Sequence, residues 1–356
     1  VRGTYDDNIG FSRADSTSDF VFKASPELAL ERTKERSRLE VGAGLDFVNH
    51  ADESDLNRIQ ERYRGAGSYD LTERLTISAE TGYMKDSTLE SELERVGRVI
   101  TLADRFRFQG GGGVEYSLNP RSDLGAEYKL SRTAFSAGDS VDYDGHEVAL
   151  RYSVRTRNET DVYLVRPAYT RYGSDVSDVD SFALTLGMTR SFDETLSATA
   201  VGGARYSRVN QERGGTDRNW TGVVDLSVRY QGQTGSASLS YTRDLIYGSD
   251  GETLEQDRVQ ARLRKHLTER VAVGLVASAY RLRGGSGSQD LDGAHCDATP
   301  SVRYNMTRWN VLTLAYQYSY DRDQAVSGDE VATRNQVWIA LNMTWPGDRN
   351  TRRDGN

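Results

Sequence analysis

The sequence contains a single cysteine, Cys296, so neither an intramolecular disulfide nor a cysteine-based metal cluster can form. Proline is also rare, with five residues, whereas glycine and tyrosine are common, with 34 and 20. No apolar stretch of about 18 residues occurs, which excludes a membrane-spanning helix. The formal net charge of −8 argues against nucleic-acid binding, which requires a basic surface. This composition suits long strands better than helices or disorder, so we expect an all-β protein.

Apolar and polar residues alternate along most of the chain. Over residues 39–47 the odd positions are apolar and the even positions are polar or glycine. The same pattern runs through residues 106–118 and 124–130, and the turn at 119–122 between them contains an Asn-Pro pair, which favours tight turns. A period of two gives each strand one apolar and one polar face. Further segments repeat this pattern as far as Trp345.

Short polar turns alternate with longer loops that are rich in serine, glycine and acidic residues. At roughly 20 residues for each strand and its connection, the chain length corresponds to about 18 strands. We therefore expect one domain over residues 1–346. Its predicted fold is a transmembrane antiparallel up-and-down β-barrel with short periplasmic turns, longer acidic extracellular loops and both termini in the periplasm. A polar basic C-terminal tail is expected over residues 347–356.

A soluble β-sandwich or propeller is the alternative, because alternation alone does not show whether the apolar face meets a protein core or lipid. Strands of about 10 to 13 residues exceed the usual soluble length of about five or six, and they fit a tilted membrane crossing. Aromatic residues also lie near both ends of the apolar stripes, as in the two interfacial belts of a membrane barrel. The predicted belt near the short turns consists of Tyr69, Tyr116, Phe192, Tyr230, Tyr304 and Trp345. The predicted belt near the long loops consists of Phe47, Tyr83, Tyr206, Trp220, Tyr280 and Tyr320.

The N-terminal residues 5–9 read Tyr-Asp-Asp-Asn-Ile and are followed by a polar loop and a strand over residues 19–30. This opening resembles the start of the β-barrel porin type 2 family of proteobacterial outer-membrane barrels, which includes EpsL-like members found with exopolysaccharide operons. The resemblance implies an integral barrel of the bacterial outer membrane and a link to exopolysaccharide export. The last strand, residues 336–345, also resembles the C-terminal assembly signal of such barrels, since alternating apolar residues end on the aromatic Trp345.

Arginine predominates on the polar face, which would line the lumen, although the chain is acidic overall. One interpretation is an electropositive wall that attracts an anionic solute such as an acidic polysaccharide. The other is that these arginines pair with inward glutamates and aspartates on neighbouring strands. The pattern does not fix the register around Arg166 and Pro167, which compete for the lipid-facing side. The candidate lumen-lining arginines are Arg58, Arg62, Arg64, Arg105, Arg107, Arg151, Arg155, Arg229, Arg258, Arg262, Arg264 and Arg303.

No combination of residues predicts catalysis or a bound metal. The four histidines, His50, His146, His266 and His295, are scattered. His295 and Cys296 would point to opposite faces of a strand, which disfavours joint metal ligation. We therefore predict no cofactor, no metal site and no enzymatic activity. A Ser-His-Asx hydrolase of the outer-membrane phospholipase type stays open as an alternative, because such triads are set by space rather than by sequence.

Acidic residues cluster in the long loops, for example Asp52 and Asp55 in one loop and Glu90, Glu92 and Glu94 in another. Such carboxylates either bind divalent cations near lipopolysaccharide phosphates or keep the surface solvated. The ligand spacing of an EF-hand does not occur in the sequence.

These observations predict an outer-membrane pore, and the leading hypothesis is a conduit for export of an exopolysaccharide. A general diffusion porin for small solutes and a structural barrel that houses a partner protein or cytochrome are the two alternatives. The expected partners are outer-membrane lipid and lipopolysaccharide. A polysaccharide, periplasmic export machinery and a protein inside the lumen are further candidates, whereas nucleic acid is not expected.

Overall fold

The computed structural model describes residues 1–12, 16–88, 103–136, 140–211, 215–247, 253–284, 292–323 and 330–345. In this part of the chain, 19 strands form one sheet. The strands are β1 (Arg2–Asp6), β2 (Asp19–Ala24), β3 (Glu27–Lys34), β4 (Ser37–His50), β5 (Arg58–Thr72), β6 (Leu75–Ser87), β7 (Asp104–Asn119), β8 (Ser122–Phe135), β9 (Tyr143–Arg155), β10 (Asp161–Ser174), β11 (Ser177–Ser191), β12 (Leu196–Gln211), β13 (Gly215–Gln231), β14 (Gly235–Tyr247), β15 (Thr253–His266), β16 (Val271–Gly284), β17 (Asp292–Asn305), β18 (Asn310–Asp323) and β19 (Glu330–Met343). A 3-10 turn lies at Ser54–Leu56. A search of the described residues for a helix of sufficient length and apolarity to span a membrane found none.

The sheet closes on itself as an antiparallel barrel. From β3 onward each strand pairs with the next in the chain, and β1 pairs with both β19 and β2. The strands β2 and β3 both pair with β4, β2 near His50 and β3 near Ser37, so together they fill one position in the wall. The 19 strands thus occupy 18 positions, which confirms the predicted fold class and strand number.

The alternation of exposure along each strand follows the alternation of the sequence. On β11, Leu184 and Leu186 are 53% and 58% exposed, whereas Thr185 between them is 7% exposed. Neighbouring strands are in phase, since Leu184 lies opposite Pro167 and Ala204. The exposed apolar side chains therefore form one continuous outer face around the barrel, which is the face that lipid solvates. We call the opposite face the inner wall.

The short connections lie at one end of the barrel and most of the longer ones at the other, which define its short-turn and long-loop ends. In the short turn after β11, Asp193 accepts hydrogen bonds from the Thr195 hydroxyl and from the backbone N–H groups of Thr195 and Leu196. These bonds hold the pKa of the Asp193 carboxyl below its usual value. One connection at the long-loop end has only two residues, because β10 extends to Ser174 and β11 begins at Ser177.

The five-residue strand β1 closes the ring, and polar contacts with β19 hold it. Asp6 is 1% exposed and accepts hydrogen bonds from the Arg334 guanidinium at 2.9 and 3.0 Å and from Gln336 Nε2 at 2.7 Å. Beside it, Asp7 accepts hydrogen bonds from the backbone N–H and the side-chain amide of Asn335, both at 2.7 Å. These contacts satisfy a buried carboxylate and join residues from the two ends of the chain.

A candidate solute-binding wall in the lumen

The register of the strands places all twelve candidate arginines on the inner wall. Their expected role in solute contact stays a prediction, and their surroundings differ from one side of the barrel to the other. On β3–β10 most of them meet carboxylates, whereas on β13–β17 most of them do not.

The predicted aromatic belts face outward, with one exception. Trp345 at the short-turn end and Trp220 at the long-loop end are 71% and 70% exposed. Tyr280 is the exception, and its assignment to the outer belt is corrected: it is 4% exposed and lies on the inner wall. Its ring stacks on His295 at 4.8 Å, and the Arg258 guanidinium lies 5.1 Å from its centroid. The physical reason is parity, because the lipid-facing positions of β16 are odd and residue 280 is even.

On β4–β7 several inward arginines pair with acidic side chains of neighbouring strands. Arg62 pairs with Asp46 at 3.2 Å, and Arg64 lies between Glu40 at 3.5 Å and Glu27 at 3.6 Å. A Cβ at Gly42 would lie 2.7 Å from Arg64 Nε, so this glycine leaves space for the arginine to cross β4.

Arg105 forms the most buried of these pairs. Its side chain is 2% exposed, and it donates two hydrogen bonds to Asp86, at 2.9 and 2.7 Å. Fork-to-fork contact of this kind is the strongest arrangement available to an arginine and a carboxylate. This pair therefore contributes to the integrity of the wall rather than to solute binding.

Arg166 is an inner-wall arginine that the sequence did not assign. It lies between two carboxylates, Glu127 at 2.6 Å and Glu147, while Pro167 faces outward opposite Leu184. The register of β10 therefore places a half-buried guanidinium on the inner wall and a proline on the lipid-facing side. One sequence signal could have placed Arg166 on the inner wall: Glu127 and Glu147 face inward on neighbouring strands, and their carboxylates require a cation nearby.

Four arginines on β13–β17 form what we call the basic patch: Arg229, Arg262, Arg264 and Arg303. All four are exposed on the inner wall, and none makes an ion pair or side-chain hydrogen bond with another described residue. Arg229 and Arg262 both lie opposite Ser238, one strand to either side, so their backbones are about 10 Å apart. Four uncompensated positive charges thus share one area of the wall.

The basic patch surrounds a concavity of about 340 Å³ near the short-turn end. Between the arginines lie small polar or backbone-only positions, among them Ser236, Ser238, Gly274 and Ser301. The inward positions from Ser227 on β13 to Asn305 on β17 that border the patch contain no aspartate or glutamate. Exposed guanidinium groups with hydroxyl neighbours and no carboxylate provide the donors that a carboxylate, sulfate or phosphate ligand requires.

The inner wall is packed toward the long-loop end and open to solvent toward the short-turn end. The Tyr172 and Tyr247 rings lie 3.7 Å apart and cover Val179 and Val209, which are 1% and 5% exposed. A second cluster joins Leu254, Tyr280 and Leu282, and a third joins Phe11 and Ala332. Side chains therefore narrow the long-loop half of the lumen, and the basic patch lies in the solvent-filled half.

The remaining candidate groups do not assemble into a site. His295 is buried on the inner wall, whereas Cys296 is exposed on the outer face, as the alternation predicts. His146 lies outward at a strand end and shares a 2.8 Å hydrogen bond with the Tyr128 hydroxyl. The described residues contain no group of three or more His, Cys, Asp or Glu side chains that could hold a metal ion.

Two of the sequence-based predictions concern segments outside the described residues. They are the acidic residues Glu90, Glu92 and Glu94 and the tail over residues 347–356. The division of the chain into a barrel domain and a tail therefore stays a prediction.

Comparison with known proteins supports the fold independently. The model of the family described as "Putative beta-barrel porin 2" matches residues 1–224. A search of curated proteins found no match to this sequence. Among solved structures, Pseudomonas aeruginosa OccK2 (OpdF) in complex with glucuronate is similar with a TM-score of 0.53 and 12% identity, over 97% of this chain and 96% of that chain. The FrpB iron transporter from Neisseria meningitidis is similar with a TM-score of 0.54 and 9% identity, over 97% of this chain and 66% of that chain.

Proposed function

Because the chain belongs to the beta-barrel porin 2 family, and is thus a porin-like barrel of the outer membrane, we propose that it is a passive channel for anionic solutes, with acidic saccharides as the substrate class. In this proposal the long-loop end of the barrel faces the cell exterior. The start of β1 and the end of β19 face the periplasm. The observation that carries the proposal is the basic patch, four exposed and unpaired arginines around a concavity on the inner wall.

The distribution of charge on the wall supports anion selectivity. Where arginines meet carboxylates, as in the Arg151–Glu115 pair, their fields largely cancel at the distance of a passing ion. The basic patch has no such compensation and attracts anions over about a Debye length. A chain with a formal net charge of −8 therefore presents a positive surface in the solvent-filled half of its lumen.

The chemistry of the patch favours a carboxylated sugar over a simple inorganic ion. Guanidinium groups bind carboxylates in a planar, bidentate manner, and the intervening serines can bind sugar hydroxyls. The structure of OccK2 (OpdF), a barrel of similar fold, was determined with glucuronate, which is a ligand of this class. Arg262 and Arg264 are two residues apart on the same strand, so a polymer with successive carboxylates could contact both.

Export of an acidic exopolysaccharide is the more specific form of the proposal. The same wall would serve either a polymer that slides past the patch or short saccharides that bind and leave. Either way the barrel supplies a path and a local enrichment of the solute, and the concentration gradient or an upstream machine supplies the driving force.

Block of single-channel current tests this proposal. The purified protein is reconstituted in planar bilayers, and current is recorded with oligogalacturonates and with neutral malto-oligosaccharides of equal length. We expect the acidic sugars to block at much lower concentration than the neutral ones. Replacement of all four patch arginines by glutamine should remove this difference. The matched control E115Q/R151Q removes one ion pair without changing the net charge, and it should preserve the difference.

The outcomes separate the alternatives. Block that strengthens with the length of the acidic chain supports a polymer conduit, and block that is independent of length supports diffusion of small solutes. Equal block by acidic and neutral sugars would overturn the proposed substrate class. Bilayers that never conduct would overturn the channel itself and favour a barrel that houses a partner protein.

A further inference from the structure

A row of aromatic residues crosses the outer face of β10–β13 near the long-loop end. Tyr169 lies opposite Phe182, Phe182 opposite Tyr206, and Tyr206 opposite Trp220. The ring centroids of Tyr169 and Phe182 are 4.8 Å apart, and those of Tyr206 and Trp220 are 5.2 Å apart. Trp220 and Phe182 are 70% and 58% exposed. Such a row marks the boundary between the hydrocarbon layer and the lipid headgroups.

A basic row lies two residues closer to the long-loop end on the same four strands. In register order it contains Arg171, Asp180, Arg208 and Arg218. Its one carboxylate, Asp180, accepts a 2.6 Å hydrogen bond from the Tyr169 hydroxyl. None of the three arginines makes an ion pair with another described residue, and all three are exposed.

Arg208 and Arg218 are direct cross-strand partners, which brings two positive charges together. Like charges at directly opposite positions destabilise a sheet unless a counter-ion lies between them. Arg208 donates a 3.3 Å hydrogen bond to the side-chain oxygen of Asn210, a neutral acceptor that leaves its charge uncompensated. In the described chain the nearest row toward the loops carries one outward carboxylate on these strands, Asp178, opposite Asn210.

The neighbouring strand leaves this surface accessible from the side. The pairing between β13 and β14 begins at Val224, so within the described residues β13 has no β14 partner beside Arg218 and Trp220. The long-loop end of β14 instead turns toward the inner wall. There Asp244 pairs with Arg205 at 2.5 Å, and Tyr247 reaches Tyr172 on β10. Among the described residues, no strand therefore pairs with the edge of β13 beside Arg218.

We propose that this surface, composed of Tyr169, Phe182, Tyr206, Trp220, Arg171, Arg208 and Arg218, binds the phosphorylated glucosamine headgroup of lipopolysaccharide. The guanidinium groups of Arg208 and Arg218 bind one phosphate between them, and Arg171 binds at the opposite side of the headgroup. The aromatic row lies below, at the level where the sugar meets the acyl chains. A free phosphate would engage the basic row alone, whereas the adjacent aromatic row specifies a phosphorylated lipid.

Native mass spectrometry of the purified full chain in detergent tests the site. The probes are diphosphoryl lipid A, its dephosphorylated form and phosphatidylglycerol. We expect diphosphoryl lipid A to bind at least tenfold more tightly than either of the others, and R208Q/R218Q to lose that preference. The matched control is R190Q, because Arg190 also faces outward on β11 beside an aromatic ring, at 5.6 Å from Phe192, but at the short-turn end.

Both variants are first checked for the shift in gel mobility on heating that reports a folded barrel. Retention of the lipid A preference by R208Q/R218Q, or an equal loss in R190Q, would overturn the proposal. Equal binding of diphosphoryl and dephosphorylated lipid A would overturn it as well. The channel assay described above does not depend on this site, so the two proposals fail separately.

Discussion

Removal of two arginines from the basic patch should halve the contribution of the patch to ion selectivity on a free-energy scale. An anion about 8 Å from one guanidinium in water gains roughly 0.5 kcal/mol, and screening at 0.1 M salt reduces this to about 0.2 kcal/mol. The four arginines together then favour an anion by about 0.9 kcal/mol and disfavour a cation by about the same amount, and this difference of about 1.8 kcal/mol corresponds to roughly a 20-fold preference for anions over cations. In R262Q/R264Q two charges remain, so the difference falls to about 0.9 kcal/mol and the preference should fall to about fivefold.

The reversal potential across a planar bilayer under a salt gradient measures this preference directly. The wild type, R262Q/R264Q and the neutral-pair control E115Q/R151Q are compared at low salt and again at about 1 M, where the Debye length of about 3 Å should remove the difference. Equal selectivity of wild type and R262Q/R264Q at low salt would refute the reasoning. An equal change in the control would also refute it, since that variant leaves the net charge of the wall unchanged.

Two further predictions concern the stability of the barrel, measured as the free energy of unfolding by urea in lipid vesicles. Arg105→Gln leaves the Asp86 carboxylate, 11% exposed, without its charged partner, so we expect a loss of about 3 kcal/mol, most of which D86N/R105Q should restore. A loss below about 1 kcal/mol in the single variant would contradict the assigned pair. Leu226→Lys introduces a charge on the outer face, where Leu226 is 43% exposed, and should cost about 2 to 4 kcal/mol near the membrane centre. The neighbouring Ser227→Lys points into the lumen and should cost much less, and equal losses would show that the two faces are misassigned.

The outward and inward faces of the strands could be predicted because they depend only on a period of two within each strand. Leu184 and Leu186 face lipid and Thr185 faces the lumen, as the alternation of the sequence indicates. Tyr280 is the exception, because its even position on β16 places it on the inner wall although it is an aromatic residue near a strand end. Within a single strand, an odd or even position therefore indicates the face of a residue more reliably than the residue type does.

The pairing of charges could not be predicted, since it depends on the register between strands. Arg62 lies near Asp46 and is neutralised, whereas Arg262 lies opposite Ser238 and is not. Within their own strands the two arginines have similar patterns, and only the neighbouring strand distinguishes them. The split of the wall into neutral and basic areas, and with it the candidate site, therefore became visible only in the folded barrel.

The pairing of the short strand β1 with β19 is expected to be a late step in the assembly of the barrel. Hairpins such as β7–β8 can form from residues close in sequence, but the ring is completed only when Asp6 meets Arg334, which is 328 positions away. Contacts of such sequence separation form late in folding, because they carry the largest loop-closure entropy. Until then the sheet has two free edges that can pair with another unfinished copy. Five residues and one buried carboxylate thus decide whether a nearly complete sheet becomes a closed cylinder or an aggregate.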